Sequence, residues 1–412
     1  MRPQTHWPSV WQFVLSSLAI LSLWGCALLI AVFGLTGTLN DFSGTRDSLP
    51  MFMMAASLAL CGFLLIPSAG YALWRLLVPS APPRLPSLRS IHLVVIILLL
   101  PAILWLGEKV VSTSSLAWLL LPFFHLAAVG LPVLVVLYLA VHGLPLGSPQ
   151  RQWGVFGSGL VLGPSLILFV EFLAMLFYIL VGTVYIASQP ELTEQVKALM
   201  EWLTTSNPTP EMLIEKLSPF LANPLVLLAI FSFAALVVPM IEEALKPIGV
   251  WLLFGRKLAP AAGFAAGALS GAGYALFESL ALSSGGDQWA MLVVARMGTA
   301  LIHTLTTALM GWALVLAWSK GNWLRLGLTY IGVVLLHGAW NTLALVATLA
   351  AIGQEGFFSV EAPGLFAVLE IAAPFGLFIL TLGALFALTG LNRFFRRSQP
   401  VTSLAELPNP ML

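Results

Sequence analysis

Hydrophobic runs long enough to cross a bilayer as helices recur along almost the whole chain. A transmembrane helix needs about 20 predominantly apolar residues, and the sequence holds ten such runs separated by more polar segments. They lie near residues 10–35, 50–78, 91–107, 116–142, 154–187, 225–254, 260–283, 290–318, 324–350 and 364–391. The pattern predicts an all-α, polytopic membrane protein with about ten transmembrane helices.

Composition agrees with this prediction and narrows the function. Of the 412 residues, 59% are hydrophobic and 8% are charged, against roughly 25% charged in an ordinary soluble domain. The net charge is +1 and the basic residues sit in short loops, so there is no basic surface for nucleic acid. Cys26 and Cys61 lie inside hydrophobic runs and form neither a disulfide framework nor a paired metal motif. We expect them only to pack.

Charged residues alternate between the loops. The even-numbered connections and the C-terminal tail carry the basic residues Arg75, Arg84, Arg89, Arg151, Arg256, Lys257, Lys320, Arg325, Arg393, Arg396 and Arg397. By the positive-inside rule, this pattern predicts that both termini are cytoplasmic. The longest odd-numbered connection, 188–223, holds more Glu than Lys, so we expect it outside the cell. The protein is expected to be a multi-pass protein of the cell (plasma) membrane.

The connection 188–223 contains one amphipathic pattern. Apolar residues recur at helical spacing, and Ser188 with Pro190 resembles a helix start. The pattern predicts a helix at the outer surface, which either caps the bundle or guides or gates a substrate. The prolines that follow, Pro208, Pro210, Pro219 and Pro224, predict an irregular remainder.

These features divide the chain into five regions. An N-terminal five-helix membrane region of unassigned role covers 1–187, and the extracytoplasmic loop covers 188–223. Four helices over 224–350 hold the candidate chemistry, a final transmembrane helix covers 351–397, and 398–412 is predicted to be a disordered cytoplasmic tail.

The sixth hydrophobic run contains three ionisable residues, Glu242, Glu243 and Lys246. A charged side chain near the bilayer centre costs about 2.5–3.5 kcal/mol on insertion scales, so such residues mark a functional site by default. Glu242 and Lys246 are four residues apart and share a face of a continuous helix, whereas Glu243 points roughly 100° away. Pro239 and Pro247 bracket the motif, and each proline frees the carbonyl four residues before it. Freed carbonyls need partners, so this helix must face protein or a wet cavity.

The next three helices carry further polar groups. Gly263, Gly267 and Gly271 are spaced by four residues, and Glu278 follows seven residues later on the same helix face. Small residues at this spacing let a neighbouring helix approach closely, which predicts that Glu278 faces that neighbour. The following helices carry His303, and then His337 and Asn341 one turn apart.

Depth in the membrane provides a separate argument. With a rise of 1.5 Å per residue, Glu242, Glu278, His303, His337 and Asn341 lie roughly 18–27 Å from the basic connections of their helices. They therefore fall within about 9 Å of one another in depth. Four other intramembrane polar residues are isolated in sequence, of which Arg296 and Glu171 are candidates to support the site and His125 and Glu370 are expected to be structural.

The four motifs together resemble those of the PrsW-type intramembrane peptidases, which share a superfamily with the CAAX-processing endopeptidases. The resemblance rests on EExxK at Glu242–Lys246, the pair Phe277-Glu278, His303, and HxxxN at His337–Asn341. It covers about residues 225–350. Leu282 stands where a FExxxY pattern would have tyrosine. The resemblance implies an endopeptidase that acts on membrane-tethered proteins, with a peptidase core over 224–350.

The residues suit peptide hydrolysis, which requires a base to activate water, stabilisation of an oxyanion and an acid for the leaving amine. Glu242 is suited to activating water, and Lys246 can supply the charge that keeps it ionised. His337 and Asn341 can both direct donors at the oxyanion. The predicted catalytic residues are Glu242, Glu243, His303, His337 and Asn341, with Lys246 supporting them and Glu278 supporting a histidine.

A glutamate-activated mechanism without a cofactor is the preferred interpretation, and three alternatives stay open. His303, His337 and Glu242 make a plausible zinc set with one position free, although the chain lacks HExxH. An ion- or proton-coupled transporter also places carboxylates and histidines at mid-membrane, but inverted repeats are expected there and none is visible. A non-catalytic scaffold would bind another protein's transmembrane helix through the glycines. The expected partners are a membrane-anchored protein substrate and the lipid bilayer.

Overall fold

The computed structural model of the chain describes residues 6–40, 48–78, 89–113, 115–221, 223–281, 289–354 and 363–398. Within these ranges the chain is helical and contains no strand. The helices are α1 (Trp7–Asn40), α2 (Leu49–Leu77), α3 (Ser90–Thr113), α4 (Ala117–Val141), α5 (Pro149–Gly157), α6 (Gly163–Ala187), α7 (Pro190–Thr205), α8 (Pro210–Leu221), α9 (Pro224–Ser232), α10 (Val238–Leu245), α11 (Ile248–Trp251), α12 (Pro260–Ala281), α13 (Trp289–Lys320), α14 (Trp323–Gln354) and α15 (Pro363–Arg397).

The predicted all-α membrane architecture is confirmed. In the described residues, nine helical segments are long and apolar enough to cross a membrane. The remaining predicted span, 260–283, corresponds to α12, which has 22 residues. It is not among those nine because its many glycines lower its hydropathy. The predicted disordered tail, apart from Ser398, lies outside the described residues, as does Leu282.

Two of the predicted spans are interrupted by short π-helical segments. Ser158–Leu162 separates α5 from α6, and Phe233–Val237 separates α9 from α10. In a π-helical turn the backbone hydrogen bond spans five residues instead of the four of an α-helix, and such turns occur often at functional sites. The second segment lies directly before the helix that carries Glu242 and Glu243.

The helix boundaries follow local sequence signals. Ser148 caps α5 by accepting a hydrogen bond from the Arg151 amide, and Asn223 caps α9 in the same way through the Leu225 amide. Proline follows each cap at the first helical position, where no amide hydrogen is needed. Gly321 joins α13 to α14 with φ +68°, a conformation that glycine adopts without strain.

The connection 188–223 is more regular than its prolines suggest. Its first half forms the predicted amphipathic helix, α7, which has no buried residue. The second half forms α8, so the expectation of an irregular remainder is wrong. Pro210 occupies the first position of α8, where it does not disrupt hydrogen bonding, and only Pro219 falls inside the helix.

Contacts divide the chain into two compact units. The first unit comprises Met1–Ser165, Leu245–Tyr330 and Gly383–Leu412, and the second comprises Leu166–Ala244 and Ile331–Leu382. In the first unit, α1 packs along α2 and α12 packs along α13. Its apolar core includes Met53, Leu121, Leu160, Ala272 and Leu314, none of which exposes any surface.

The second unit contains most of α6, the helices α7 to α9, and the greater parts of α10, α14 and α15. The Tyr178 hydroxyl of α6 lies 3.2 Å from Ser232 Oγ at the end of α9. The Tyr178 ring also packs edge-on against Phe233, at 5.1 Å between centroids. Helix α6 is therefore held against the start of the second π-helical segment.

Candidate active site

The glycines of α12 set its distance from α13 in the first unit. A Cβ atom at Gly271 would lie 2.7 Å from Thr307 Cβ and 2.8 Å from the His303 carbonyl oxygen. One at Gly263 would lie 2.6 Å from the Gly311 carbonyl oxygen. Only glycine permits this approach, so the predicted packing of the glycine face against a neighbouring helix is confirmed.

The same face brings Glu278 to the polar residues of α13. Glu278 Oε2 lies 2.6 Å from His303 Nε2 and 2.8 Å from Arg296 Nη2. The sequence predicts that Glu278 faces a neighbouring helix and that Arg296 is a candidate to support the site, and the structure places both in one contact. Glu278 thus fixes the orientation of the His303 ring.

Lys246 completes this group in the first unit. Its ammonium Nζ lies 2.7 Å from His303 Nδ1, so both ring nitrogens of His303 face a polar partner. Lys246 is fully buried, and its backbone carbonyl accepts a hydrogen bond of 2.6 Å from Ser270 Oγ. We refer to Lys246, Glu278, Arg296 and His303 as the lysine cluster.

Tyr274 belongs beside this cluster, although the sequence analysis did not select it. Its ring lies 5.0 Å from Lys246 Nζ and stands perpendicular to the His303 ring, with 5.2 Å between the centroids. An aromatic face attracts an ammonium group, which favours the buried position of Lys246. The available signal was the spacing of Tyr274, four residues before Glu278 on the same helix face.

In the second unit, the π-helical segment presents carbonyl groups to α14. The Ala234 carbonyl accepts a hydrogen bond of 2.8 Å from Asn341 Nδ2. The neighbouring Ala235 carbonyl lies so close to Gly338 that no side chain fits there. Pro239 removes the amide that would pair with Ala235 in an α-helix. The carbonyl that Asn341 binds is thus that of Ala234, next to the Ala235 carbonyl that Pro239 was predicted to free.

His337 lies between the two glutamates of α10. Its Nδ1 is 3.0 Å from Glu243 Oε1, and its Nε2 is 4.0 Å from Glu242 Oε2. All three side chains are buried. We refer to Glu242, Glu243, His337 and Asn341 as the glutamate cluster.

The helix that carries Glu242 ends just before Lys246. Helix α10 ends at Leu245, and Lys246 and Pro247 form a turn before the short helix α11. Pro247 has no amide hydrogen to continue the helix. The sequence analysis placed Glu242 and Lys246 on one helix, and the structure ends that helix one residue before Lys246.

Two of the isolated polar residues stand apart from the site residues. His125 Nδ1 faces the indole nitrogen of Trp289 at 3.4 Å, and Glu370 is exposed on α15. Both were expected to be structural. Glu171 lies on α6 and stays a candidate for a supporting role.

The two clusters share one chemical arrangement. Each contains a histidine with one ring nitrogen against a carboxylate, Glu278 for His303 and Glu243 for His337. Such a carboxylate holds an imidazole in a single tautomer and orients its other nitrogen, as in catalytic and metal-binding histidines. In the glutamate cluster, the His337 imidazole and the Glu242 carboxylate are donor groups that suit zinc.

Histidine–carboxylate pairs within membrane-spanning helices are groups that general acid–base chemistry can use. The sequence model of the family described as "PrsW family intramembrane metalloprotease" matches residues 150–373, which is more than half of the chain. The chain belongs to this family. No curated protein and no solved structure was found to match it. The resemblance drawn from the four motifs is confirmed, and the match extends beyond the 225–350 on which it was based.

Proposed function

We propose that this protein is a metal-dependent intramembrane endopeptidase that cleaves membrane-tethered proteins, with Glu242, His303 and His337 as the metal ligands. The observation that carries the proposal is that each histidine has a glutamate on one ring nitrogen. The family description, which names a metalloprotease, supports it. The metal-free mechanism preferred from the sequence becomes the second candidate.

In the glutamate cluster, Glu243 accepts a hydrogen bond from the protonated Nδ1 of His337. The other ring nitrogen, Nε2, therefore keeps its lone pair for a ligand. Glu242 lies 4.0 Å from that nitrogen. A tetrahedral zinc with ligands at about 2.0–2.1 Å separates two of its ligand atoms by roughly 3.4 Å. The two side chains would therefore have to approach by roughly half an ångström, which a small rotation of the glutamate provides.

In the lysine cluster, Glu278 accepts a hydrogen bond from the protonated Nε2 of His303. This leaves Nδ1 as the ligand atom. Lys246 now faces that nitrogen at 2.7 Å, so the ammonium would move aside when His303 binds a metal.

A bound zinc would supply an activated water at neutral pH. The residues of the chain would position the substrate around that water. Asn341 uses one amide hydrogen for Ala234 and has a second one to offer to the carbonyl oxygen of the scissile peptide. Arg296 balances the charge of Glu278 at 2.8 Å, which keeps this carboxylate ionised beside His303.

One observation favours the metal-free candidate. The Lys246 ammonium already occupies the position facing His303 Nδ1, where it can serve as the cationic group of the site. Glu242 would then be the base that activates water, as the sequence analysis proposed. Both candidates give Glu242 an essential role and predict different responses to metal removal.

The substrate is proposed to be a protein anchored in the cell membrane. The support comes from the nine membrane-spanning candidates in the described residues, from the burial of the site residues and from the family description. A peptide bond must reach these side chains from within or beside the bilayer.

The proposal is tested with purified protein in liposomes and a panel of co-reconstituted single-span proteins. Glu242→Gln keeps the shape of the side chain and removes its negative charge, so we expect cleavage to fall by at least about 10²-fold. Glu370→Gln is the matched control, because this glutamate is exposed on α15. Equal cleavage by wild type and Glu242→Gln would contradict the proposal.

A further inference from the structure

The first unit contains a cavity of about 670 Å³ that none of the proposed catalytic residues lines. Its walls come from α1, α2, α5, the first π-helical segment, the start of α6, and α11 with the turn that follows it. Binding sites for whole organic ligands typically have volumes of about 300–1,000 Å³. The cavity is therefore large enough for a ligand of that size.

The charged side chains of the cavity wall are basic. Arg75 from the last turn of α2, Arg151 from the first turn of α5 and Arg256 from the turn after α11 all line it. No acidic residue is among the described residues that form its wall. Three positive charges without an acidic neighbour in the wall attract an anion.

The N-terminus of α5 also lines the cavity. Ser148 and Gln150 line the cavity next to Arg151. The first amides of a helix favour negative charge, so the backbone adds to the attraction of the arginines.

Hydrogen bonds hold the walls in position. Gln12 Nε2 lies 3.1 Å from both Ser68 Oγ and the Gln150 carbonyl oxygen, and Gln150 Nε2 donates to Ser9 Oγ at 2.8 Å. These bonds connect α1, α2 and α5 around the cavity. Ser68 exposes only 1% of its surface, so the connection is part of the packed interior.

Much of the wall is apolar. Leu15, Leu65, Val161 and Leu252 are among the residues that line it. A ligand that fits both parts has an anionic group at one end and a hydrocarbon portion behind it. A membrane supplies such molecules as phospholipids, and clusters of basic residues at the membrane surface attract anionic headgroups.

We propose that this cavity binds one anionic phospholipid, with its phosphate beside Arg75, Arg151 and Arg256 and its acyl chain along the apolar wall. Free phosphate has the same charged group but covers none of the apolar surface. The length of the hydrocarbon chain therefore distinguishes the two sources of the anion. This site is independent of the proposed peptidase chemistry.

The test is native mass spectrometry of the detergent-purified protein with added dioleoylphosphatidylglycerol, with dioleoylphosphatidylcholine as the comparison lipid. We expect one phosphatidylglycerol per chain and at least about tenfold weaker binding of phosphatidylcholine. Arg151→Gln with Arg256→Gln should weaken phosphatidylglycerol binding at least about tenfold. Arg75→Gln, at an exposed position, is the second variant if the double variant does not fold.

Arg393→Gln is the matched control, because Arg393 is exposed and does not line the cavity. It should bind phosphatidylglycerol as wild type does. Equal binding of both lipids, or equal binding by the cavity variants and wild type, would overturn the proposal. So would displacement of the lipid by millimolar inorganic phosphate together with equal affinity for dihexanoyl and dioleoyl chains, because the site would then recognise phosphate alone.

Discussion

Gly267 provides a quantitative test of the packing that positions the lysine cluster. A Cβ atom at this position would lie 2.9 Å from Ala308 Cα and 3.0 Å from the Thr307 carbonyl carbon. Non-bonded carbon atoms prefer about 3.5–4.0 Å, so Gly267→Ala would force α12 and α13 apart by roughly 0.6–1 Å. Forcing an extra carbon into a close-packed interior typically costs about 1–3 kcal/mol, and we expect the melting temperature to fall.

Gly327→Ala is the matched control, since no atom lies within 4 Å of a Cβ at that position of α14. Alanine is favoured over glycine inside a helix by up to about 1 kcal/mol, so this variant should melt at the wild-type temperature or slightly above it. The assay is thermal unfolding of both variants in the same detergent. If Gly267→Ala is as stable as Gly327→Ala, the glycine face does not carry the helix contact described above.

Three further predictions concern topology and individual site residues. In a Cys26→Ala, Cys61→Ala background, cysteines at positions 206 and 319 should react with a membrane-impermeant reagent from opposite sides of the membrane, position 206 from outside, and labelling from one side would refute the predicted topology. Glu278→Gln should lower metal affinity or cleavage about 10–100-fold, as expected for a carboxylate that orients a ligand, and a wild-type value of both would remove Glu278 from the site. Asn341→Ala should slow cleavage by about 10²–10³-fold without abolishing it, whereas Thr342→Ala next to it should be nearly neutral, and equal rates for the two variants would refute a specific role of Asn341.

Much of the fold was predictable because hydrophobicity is a local property. Each of the ten predicted runs corresponds to between one and three consecutive helices whose outer ends lie within a few residues of the prediction, apart from longer extensions such as that of α15. The π-helical segments were not predictable, because they differ from α-helix only in backbone geometry. A hydrophobic run has the same composition whether one of its turns is α-helical or π-helical, so the sequence did not indicate the segment Phe233–Val237.

The membership of the site was predictable, but its pairings were not. Depth and helix face indicated that Glu278 meets a histidine, because both follow from regular helical spacing. Which histidine it meets depends on the rotation of α12 against α13, which the glycine contacts determine. Pro247 ends the helix next to Lys246, whose ammonium lies 5.0 Å from the Tyr274 ring, and the sequence analysis did not predict this pairing.

The central claim is that His303, His337 and Glu242 hold a catalytic metal, and metal analysis combined with a cleavage assay tests it most directly. We expect about one zinc per chain in the wild-type protein and much less in His337→Ala. Cleavage in liposomes should stop when a chelator removes the metal and return when zinc is restored. Full cleavage by metal-free protein, with Glu242→Gln still inactive, would contradict the metal site and support Glu242 as a base that acts without one.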